Sequence, residues 1–339
     1  MKKNNKTQNI LIIGPSWVGD MVMAQSLFNV LLTRFPEANI DVMAPGWSKP
    51  LLERMPEVRA ALEMPLGHGQ LQLGVRRQLG RSLRGQYDQA YVLPNSLKSA
   101  LVPFFADIPQ RVGYVGELRW GLLNDARKLN KQVLTKTVQR FVALGLARTE
   151  APPQTWPYPR LLIDPEQAQN AVKQLGLNTQ QPILALCPGA EYGPAKRWPE
   201  AHFAAVAKQQ REAGWQTWIF GSEKDQTVGQ SIQAQVGAMC VDLTGKTSMA
   251  QAIDLMSLAT AVVSNDSGLM HVAAALDKKV IALYGSSDPH FTPPLHDQAD
   301  ILTLNLACSP CFKRTCPLGH LNCLQQLPPE RVLEKLGDE

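Results

Sequence analysis

Residues 10–27 read ILIIGPSWVGDMVMAQSL, and this stretch decides the fold. A short apolar run turns through Gly14, Pro15 and Gly19 into a second apolar segment, which reads as a strand passing directly into a helix. Gly14 and Gly19 have the spacing of a triphosphate-binding loop, G-x-x-x-x-G-K-[ST]. Asp20 and Met21, however, stand where that motif needs its lysine and its hydroxyl. A carboxylate in that place repels phosphate, so the turn serves another purpose. Asp20 either acts as a base or caps a helix that begins at Met21.

Outward from this turn the same alternation repeats. NILIIG, NIDVMA and QAYVLPN are β-rich runs, and MVMAQSLFNVLLTRF is the helix after the first of them. Such alternation predicts βαβ units and a parallel sheet covered on both faces. APPQTWPYPRLLIDP follows, where Pro152, Pro153, Pro157, Pro159 and Pro165 exclude a continuous helix and mark a linker. Beyond it PILALCPG, WQTWIFGS, AVVSNDSG and KVIALYGSS restart the pattern, with EAHFAAVAKQQREAG and MAQAIDLMSLA helical between them. The expected fold class is α/β, with two Rossmann-like doubly wound domains facing a central cleft. The expected boundaries are 1–155 for the first domain, 156–180 for the linker, 181–327 for the second domain and 328–339 for a C-terminal helix.

The bulk numbers fit this reading. The 339 residues are 45% hydrophobic and 19% charged, with a net charge of +5, which is ordinary for a globular protein and too mild to imply nucleic acid. No apolar run approaches the roughly 20 residues that span a bilayer, so a cytoplasmic location is expected. No strand run is followed by G-x-G-x-x-G, which argues against a dinucleotide-dependent oxidoreductase. Basic and aromatic residues are not interleaved as a nucleic-acid binder requires.

Ligands of open parallel sheets sit beyond the carboxyl ends of the strands, which directs attention to the loops there. In NDSGLMHVAAAL, Asp266 or Ser267 can cap a helix, and Gly268 lets an anion approach the first N–H groups. His271 lies four residues past Ser267, on the same helix face. The loop CPGAEYGPAKRWPE offers Gly189, Ala190, Glu191, Lys196 and Arg197, of which Lys196 or Arg197 could neutralise a diphosphate leaving group. FGSEKD supplies Glu223 and Asp225, acids placed to accept ribose hydroxyls.

In this order, GPSWVGDMVMAQSL, PGAEYGPAKRWPE, FGSEKD and SNDSGLMHVAAALDKKVIALYG resemble the successive motifs of the bacterial lipopolysaccharide heptosyltransferases. The likeness extends through DVMAPGWSKPLLERMPEV, MPLGHG, YVLPNSLKSALVPFFADIPQRVGY and GLLND. It implies the GT-B glycosyltransferase architecture, with inverting heptosyl transfer from ADP-L-glycero-D-manno-heptose and no cofactor or required metal. The first domain would hold a membrane-embedded lipid A-core acceptor and the second the donor, with peripheral contact at the cytoplasmic face of the inner membrane. The acceptor half fits members that extend from the first heptose of the inner core, heptosyl-Kdo2-lipid A; members acting on other inner-core acceptors are the alternative.

The resemblance also assigns roles. Asp20 corresponds to the general base and Lys196 to the phosphate-neutralising lysine. Gly189, Ala190, Glu191, Asp266, Ser267, Gly268, Leu269 and His271 fall among the donor contacts, Glu223 at the ribose, and Lys246 and Thr247 near the adenine edge. Asp266 suits positioning better than phosphate contact, because two anions repel. Asn95, Ser96, Lys98 and Arg111 follow first-domain strands and are the candidates for acceptor contact.

Two further features stand apart. Between Glu63 and Asp88 there is no acid, while Arg76, Arg77, Arg81 and Arg84 accumulate and Leu71, Val75, Leu79 and Leu83 recur every fourth residue. The result is a basic amphipathic helix over 71–84, either a solvated face or one attracted to anionic Kdo and phosphates. CSPCFKRTCPLGHLNC sets Cys308, Cys311, Cys316 and Cys323 at C-x2-C-x4-C-x6-C around His320. These four are either free thiols or a structural metal site. Cys187 and Cys240 read as small buried apolar residues.

Overall fold

The computed structural model describes residues 7–67, 69–152 and 154–337. Pro153 of the proline-rich stretch, His68 of MPLGHG and the last two residues of the C-terminal segment lie outside that description. The chain forms two compact units, Met1–Pro159 and Arg160–Glu339.

The first unit runs β1 (Asn9–Ile13), α1 (Val18–Arg34), β2 (Asn39–Ala44), α2 (Lys49–Leu52), β3 (Val58–Glu63), α3 (Leu73–Ser82), β4 (Gln89–Val92), α4 (Leu101–Phe105), β5 (Gln110–Tyr114), β6 (Asp125–Arg127) and α5 (Thr137–Gly145). All its strand pairings are parallel, in the order β3-β2-β1-β4-β5-β6. The opening stretch behaves as its pattern demands. Ile10, Leu11 and Ile12 of β1 have no exposed surface because helices cover both faces of the sheet. The helix starts earlier than its apolar pattern suggested. It begins at Val18, its N-cap is Trp17 with no side-chain cap bond, and Asp20 lies inside the first turn. Of the two readings of Asp20, a cap on a helix beginning at Met21 is thereby excluded.

The second unit runs α6 (Pro165–Gln174), β7 (Ile183–Cys187), α7 (Glu200–Glu212), β8 (Gln216–Ile219), α8 (Gln226–Val236), β9 (Cys240–Asp242), α9 (Met249–Met256), β10 (Ala261–Asn265), α10 (Gly268–Ala275), β11 (Lys279–Leu283), β12 (Asp300–Leu302), α11 (Asn322–Gln325) and α12 (Pro329–Gly337). Its sheet is also parallel, ordered β12-β11-β10-β7-β8-β9. Read from the other edge, this is the order of the first sheet. In each unit the strand order reverses once, between β1 and β4 and between β7 and β10. Those two reversals are where a doubly wound sheet opens a crevice for ligand.

Several edge elements are absent from the sequence reading. β9, β6 and β12 have only three residues each, and β3, VRAALE, is half exposed with two charges. A short or half-solvated edge strand carries no long apolar run to detect. The stretch 156–180, expected as a linker, contains α6. Asp164 accepts the Gln167 N–H at 3.0 Å as N-cap, and Pro165 occupies the first turn, where its missing N–H costs nothing. The helix α12 closes the second core by burying Val332 and Leu336 beside Leu324 and Leu327.

Candidate active site

In the first unit, the loops after β1 and β4 flank the strand-order reversal. Asp20 is half buried there, three residues beyond Trp17, and so sits at the positive end of α1. After β4 the chain turns through Pro94, Asn95 and Ser96 before Lys98. The turn is organised by Arg119, a residue the sequence reading passed over. Its side chain is buried and donates from Nη1 to Pro94 O at 2.6 Å and Ser99 Oγ at 3.2 Å, and from Nη2 to Asn95 Oδ1 at 3.4 Å and to Tyr114 O. Nη1 also reaches Ser96 O at 3.4 Å. One planar cation thus gathers the carbonyls of a loop that has no regular structure of its own to satisfy them.

Arg111 is differently placed from its expected acceptor role. Nε donates to Leu122 O at 2.7 Å and Nη1 to Ile108 O at 2.6 Å, so its guanidinium holds the chain around β5. Burial lowers its pKa. The basic helix also changes. α3 spans Leu73–Ser82, so Leu71 lies outside it and is exposed, while Leu83 is buried past its end. Arg76 is buried, donating to Leu71 O at 2.7 Å, Gln70 O at 3.0 Å and Lys98 O at 3.1 Å. It therefore fixes the Lys98 turn, and Arg77 and Arg81 are left as the exposed cations of α3.

In the second unit, the loops after β7 and β10 flank the reversal and are tied together by Asn265. This side chain is fully buried, accepts the Trp198 N–H at 3.0 Å and donates to Pro188 O at 2.7 Å. Trp198, also buried, donates its Nε1 to Leu327 O at 2.9 Å. Between those anchors, Lys196 Nζ makes an ion pair with Asp266, the residues being largely screened from water at 17% and 5% side-chain exposure. Lys196 Nζ also lies 5.0 Å from the centre of the Tyr192 ring. Asp266 is thus engaged with the lysine.

The helix α10 starts one residue after Ser267. Of the two cap candidates Ser267 occupies the N-cap position, but neither side chain makes a cap bond, and Ser267 Oγ lies 3.3 Å from Ser264 Oγ instead. The sequence expectation of a side-chain cap is corrected, and the first N–H groups at Gly268 and Leu269 receive no such cap. His271 is buried on this helix, its pKa pushed down to about 4 by burial, which the Asp266 charge opposes and the Lys196 charge reinforces. The imidazole is neutral at pH 7, so it adds no positive charge to the site.

The remaining donor candidates divide by burial. Gly189 admits no side chain, because a Cβ would fall 2.6 Å from the Asp225 carboxylate. Asp225 is itself engaged, accepting the Ser222 N–H at 2.9 Å and its Oγ–H at 2.8 Å and pairing with Arg197 at 3.7 Å. Of the two acids in FGSEKD, Glu223 is therefore the exposed one. Ala190 is buried beside Gly189, and Glu191 pairs with Lys224 at 2.5 Å. Lys246 donates to Asp242 O at 2.8 Å and Thr247 is half buried just before α9. Burial pushes the Cys240 thiol up to about 12 and raises Cys187 further, so neither is a nucleophile at neutral pH.

The sequence profile of Glycosyltransferase family 9 (heptosyltransferase) matches residues 76–322. The chain is 50% identical to Lipopolysaccharide heptosyltransferase 2 of Escherichia coli (strain K12), over 97% of each chain. The chain belongs to glycosyltransferase family 9, the heptosyltransferases. Its identity to Lipooligosaccharide heptosyltransferase 2 of Haemophilus influenzae is 49%, covering 97% of this chain and 99% of that one. Among solved structures, the E. coli ADP-heptose lps heptosyltransferase II superimposes with a TM-score of 0.87 at 47% identity, over 97% of each chain. The doubly wound units described above are thus those of a heptosyltransferase fold.

Proposed function

We propose that this family 9 glycosyltransferase moves L-glycero-D-manno-heptose from ADP-heptose to the first heptose of the lipopolysaccharide inner core, with inversion at the anomeric carbon. The observation that carries the reading is Lys196, held by Asp266 at the start of α10, where uncapped N–H groups already favour an anion. The near-full-length identity to relatives named heptosyltransferase 2 supports the choice of acceptor.

In this account the second unit takes the donor. The diphosphate lies at the Gly268 and Leu269 N–H groups, with the loop from Gly189 to Lys196 beside it. Glu223 accepts the ribose hydroxyls, and the backbone at Lys246 and Thr247 meets adenine. The first unit takes the acceptor through Asn95, Ser96 and Lys98. Asp20 removes the acceptor hydroxyl proton, the oxygen attacks the anomeric carbon from the face opposite ADP, and the bond to the diphosphate oxygen breaks. The charge left on ADP is balanced by Lys196 and the α10 terminus, while an oxocarbenium-like sugar separates the two poles.

A lipid-borne acceptor fits the apolar surface at the strand ends of the first unit. Trp17, Trp47, Leu71, Leu73, Leu118 and Trp120 are all exposed, Leu118 and Trp120 by 80% and 67%, and each follows the carboxyl end of a strand. Apolar and aromatic side chains there, with Arg77 and Arg81 nearby in sequence, suit peripheral contact with an anionic bilayer at the cytoplasmic face. Among the described residues no helix is long and apolar enough to cross a membrane. Asp20→Ala tests the reading: heptosyl transfer should fall by about a thousandfold or more while calorimetric binding of ADP-heptose persists. Near-native turnover of a folded Asp20→Ala protein would overturn it.

A further inference from the structure

The transfer chemistry makes no use of residues 303–325, which carry four of the six cysteines, Cys308, Cys311 and Cys316 before α11 and Cys323 within it. Residues 303–321 contain no helix or strand, and Phe312 and Leu318 point apolar surface outward at 49% and 61% exposure. A stretch this long is held at its start by Leu304 and Leu306 against the core and beyond them by single hydrogen bonds such as Phe312 N–H to Ser286 O, so a further tether would add order where regular structure supplies none. Cys308, Cys311, Cys316 and Cys323, with His320, wall a single cavity of about 20 Å³, enough for one water-sized guest. Thiols are poor hydrogen-bond partners for water, and thiolates repel anions. Sulfur donors at this density match a soft cation.

Two details fit that guest. The chain bends back sharply after Cys316, where the Gly319 N–H donates to Cys316 O at 3.2 Å and Gly319 itself adopts φ +73°. Cys323 is buried on α11, so one wall of the cavity the four cysteines share is fixed to the core of the second unit. His320 Nδ1 already accepts the Asn322 N–H at 3.0 Å. We propose that Cys308, Cys311, Cys316 and Cys323 bind one zinc-type divalent ion that tethers this segment. Among the described residues no three such side chains stand at gripping distance. Binding therefore draws the sulfurs inward, to about 2.3 Å from the ion, and each ligating thiol releases its proton to solvent with no change of oxidation state.

The tether reaches the Lys196 loop. The Ala195 N–H donates to Arg314 O at 3.0 Å and the Tyr192 hydroxyl to Phe312 O at 2.8 Å, while Ala195 also lines the cysteine cavity. Gly193 adopts φ +155°, and a Cβ there would fall 2.5 Å from Arg314 O, so the segment acts as a template against which the loop is shaped. The ion is thus structural, and its effect on donor affinity rests on the donor site proposed above.

The test uses the full-length chain without a histidine tag, purified under reducing conditions without chelator. Elemental analysis should give about one equivalent of zinc. Cobalt(II) added to the reduced, metal-stripped chain should give tetrahedral d–d and thiolate charge-transfer bands. Cys311→Ser and Cys316→Ser should lose metal affinity by about tenfold or more, whereas Cys240→Ala keeps it. Less than a tenth of an equivalent of any transition metal, together with no cobalt bands, overturns the site, and this readout stands even where the serine variants fail to fold. If Cys311→Ser loses metal yet binds ADP as tightly as the parent, the tether to the Lys196 loop is refuted while the metal site stands.

Discussion

Replacing Lys196 separates its structural from its chemical work. With side-chain exposures of 17% and 5%, Lys196 and Asp266 form a largely desolvated pair. Lys196→Met strands the Asp266 carboxylate, which costs about 3–5 kcal/mol for a buried ion pair broken on one side. The same change removes a fixed cation from the departing diphosphate, worth roughly 10²–10³ in kcat as for other preorganised charge stabilisers. Adding Asp266→Asn removes the stranded charge. The double variant should therefore recover most of the stability in urea unfolding, while turnover, followed as ADP release under saturating donor and acceptor, stays depressed by about a hundredfold or more. Recovery of stability and turnover together would show Lys196 to be a structural counter-ion alone, and the phosphate role would fail.

Three other outcomes follow from the geometry. His271 titrates at about 4 in the folded chain against its ordinary 6.5, so the unfolded chain binds the proton first as the pH falls. The stability this protects is full above pH 6.5 and is lost as the pH drops toward 4, by about 2 kcal/mol between pH 7.5 and 5. His271→Asn should flatten that slope in paired urea titrations, and an unchanged slope refutes the burial argument. Asn265→Ala leaves the Trp198 N–H and Pro188 C=O without their partner, and should destabilise the chain by about 2–4 kcal/mol and weaken ADP binding in calorimetry. Arg119→Met releases the Pro94–Ser96 turn. It should raise KM for acceptor about tenfold or more with donor affinity unchanged, and an equal loss of both would point to general unfolding.

Much of the fold is written in short-range pattern. A β-rich run ending in glycine before an apolar helix names β1 and α1, and its recurrence names β7 and β10, while β4 is named by an apolar run ending in Pro94 and Asn95. α6 was hidden because proline-rich flanks on a first-turn Pro165 read as a break, although Asp164 is an ordinary cap. The site divides along similar lines. Asp20 and Lys196 stand out because a charge interrupts a glycine loop at a strand end. Arg119 and Asn265 do not: one sits between Leu118 and Trp120 and the other ends β10, and their importance comes from carbonyls and N–H groups brought near only by folding. Arg76 and Arg111 were legible as charges but not as buried donors, since periodicity does not show where a long side chain ends.

The most direct measurement gives the purified chain ADP-heptose and two defined lipid acceptors, one ending in Kdo and one in the first inner-core heptose, and analyses each by mass spectrometry. The account predicts one heptosyl residue added to the heptose-terminated acceptor and none to the other. Preferential transfer to the Kdo-terminated acceptor, or ADP release with neither lipid modified, would contradict it.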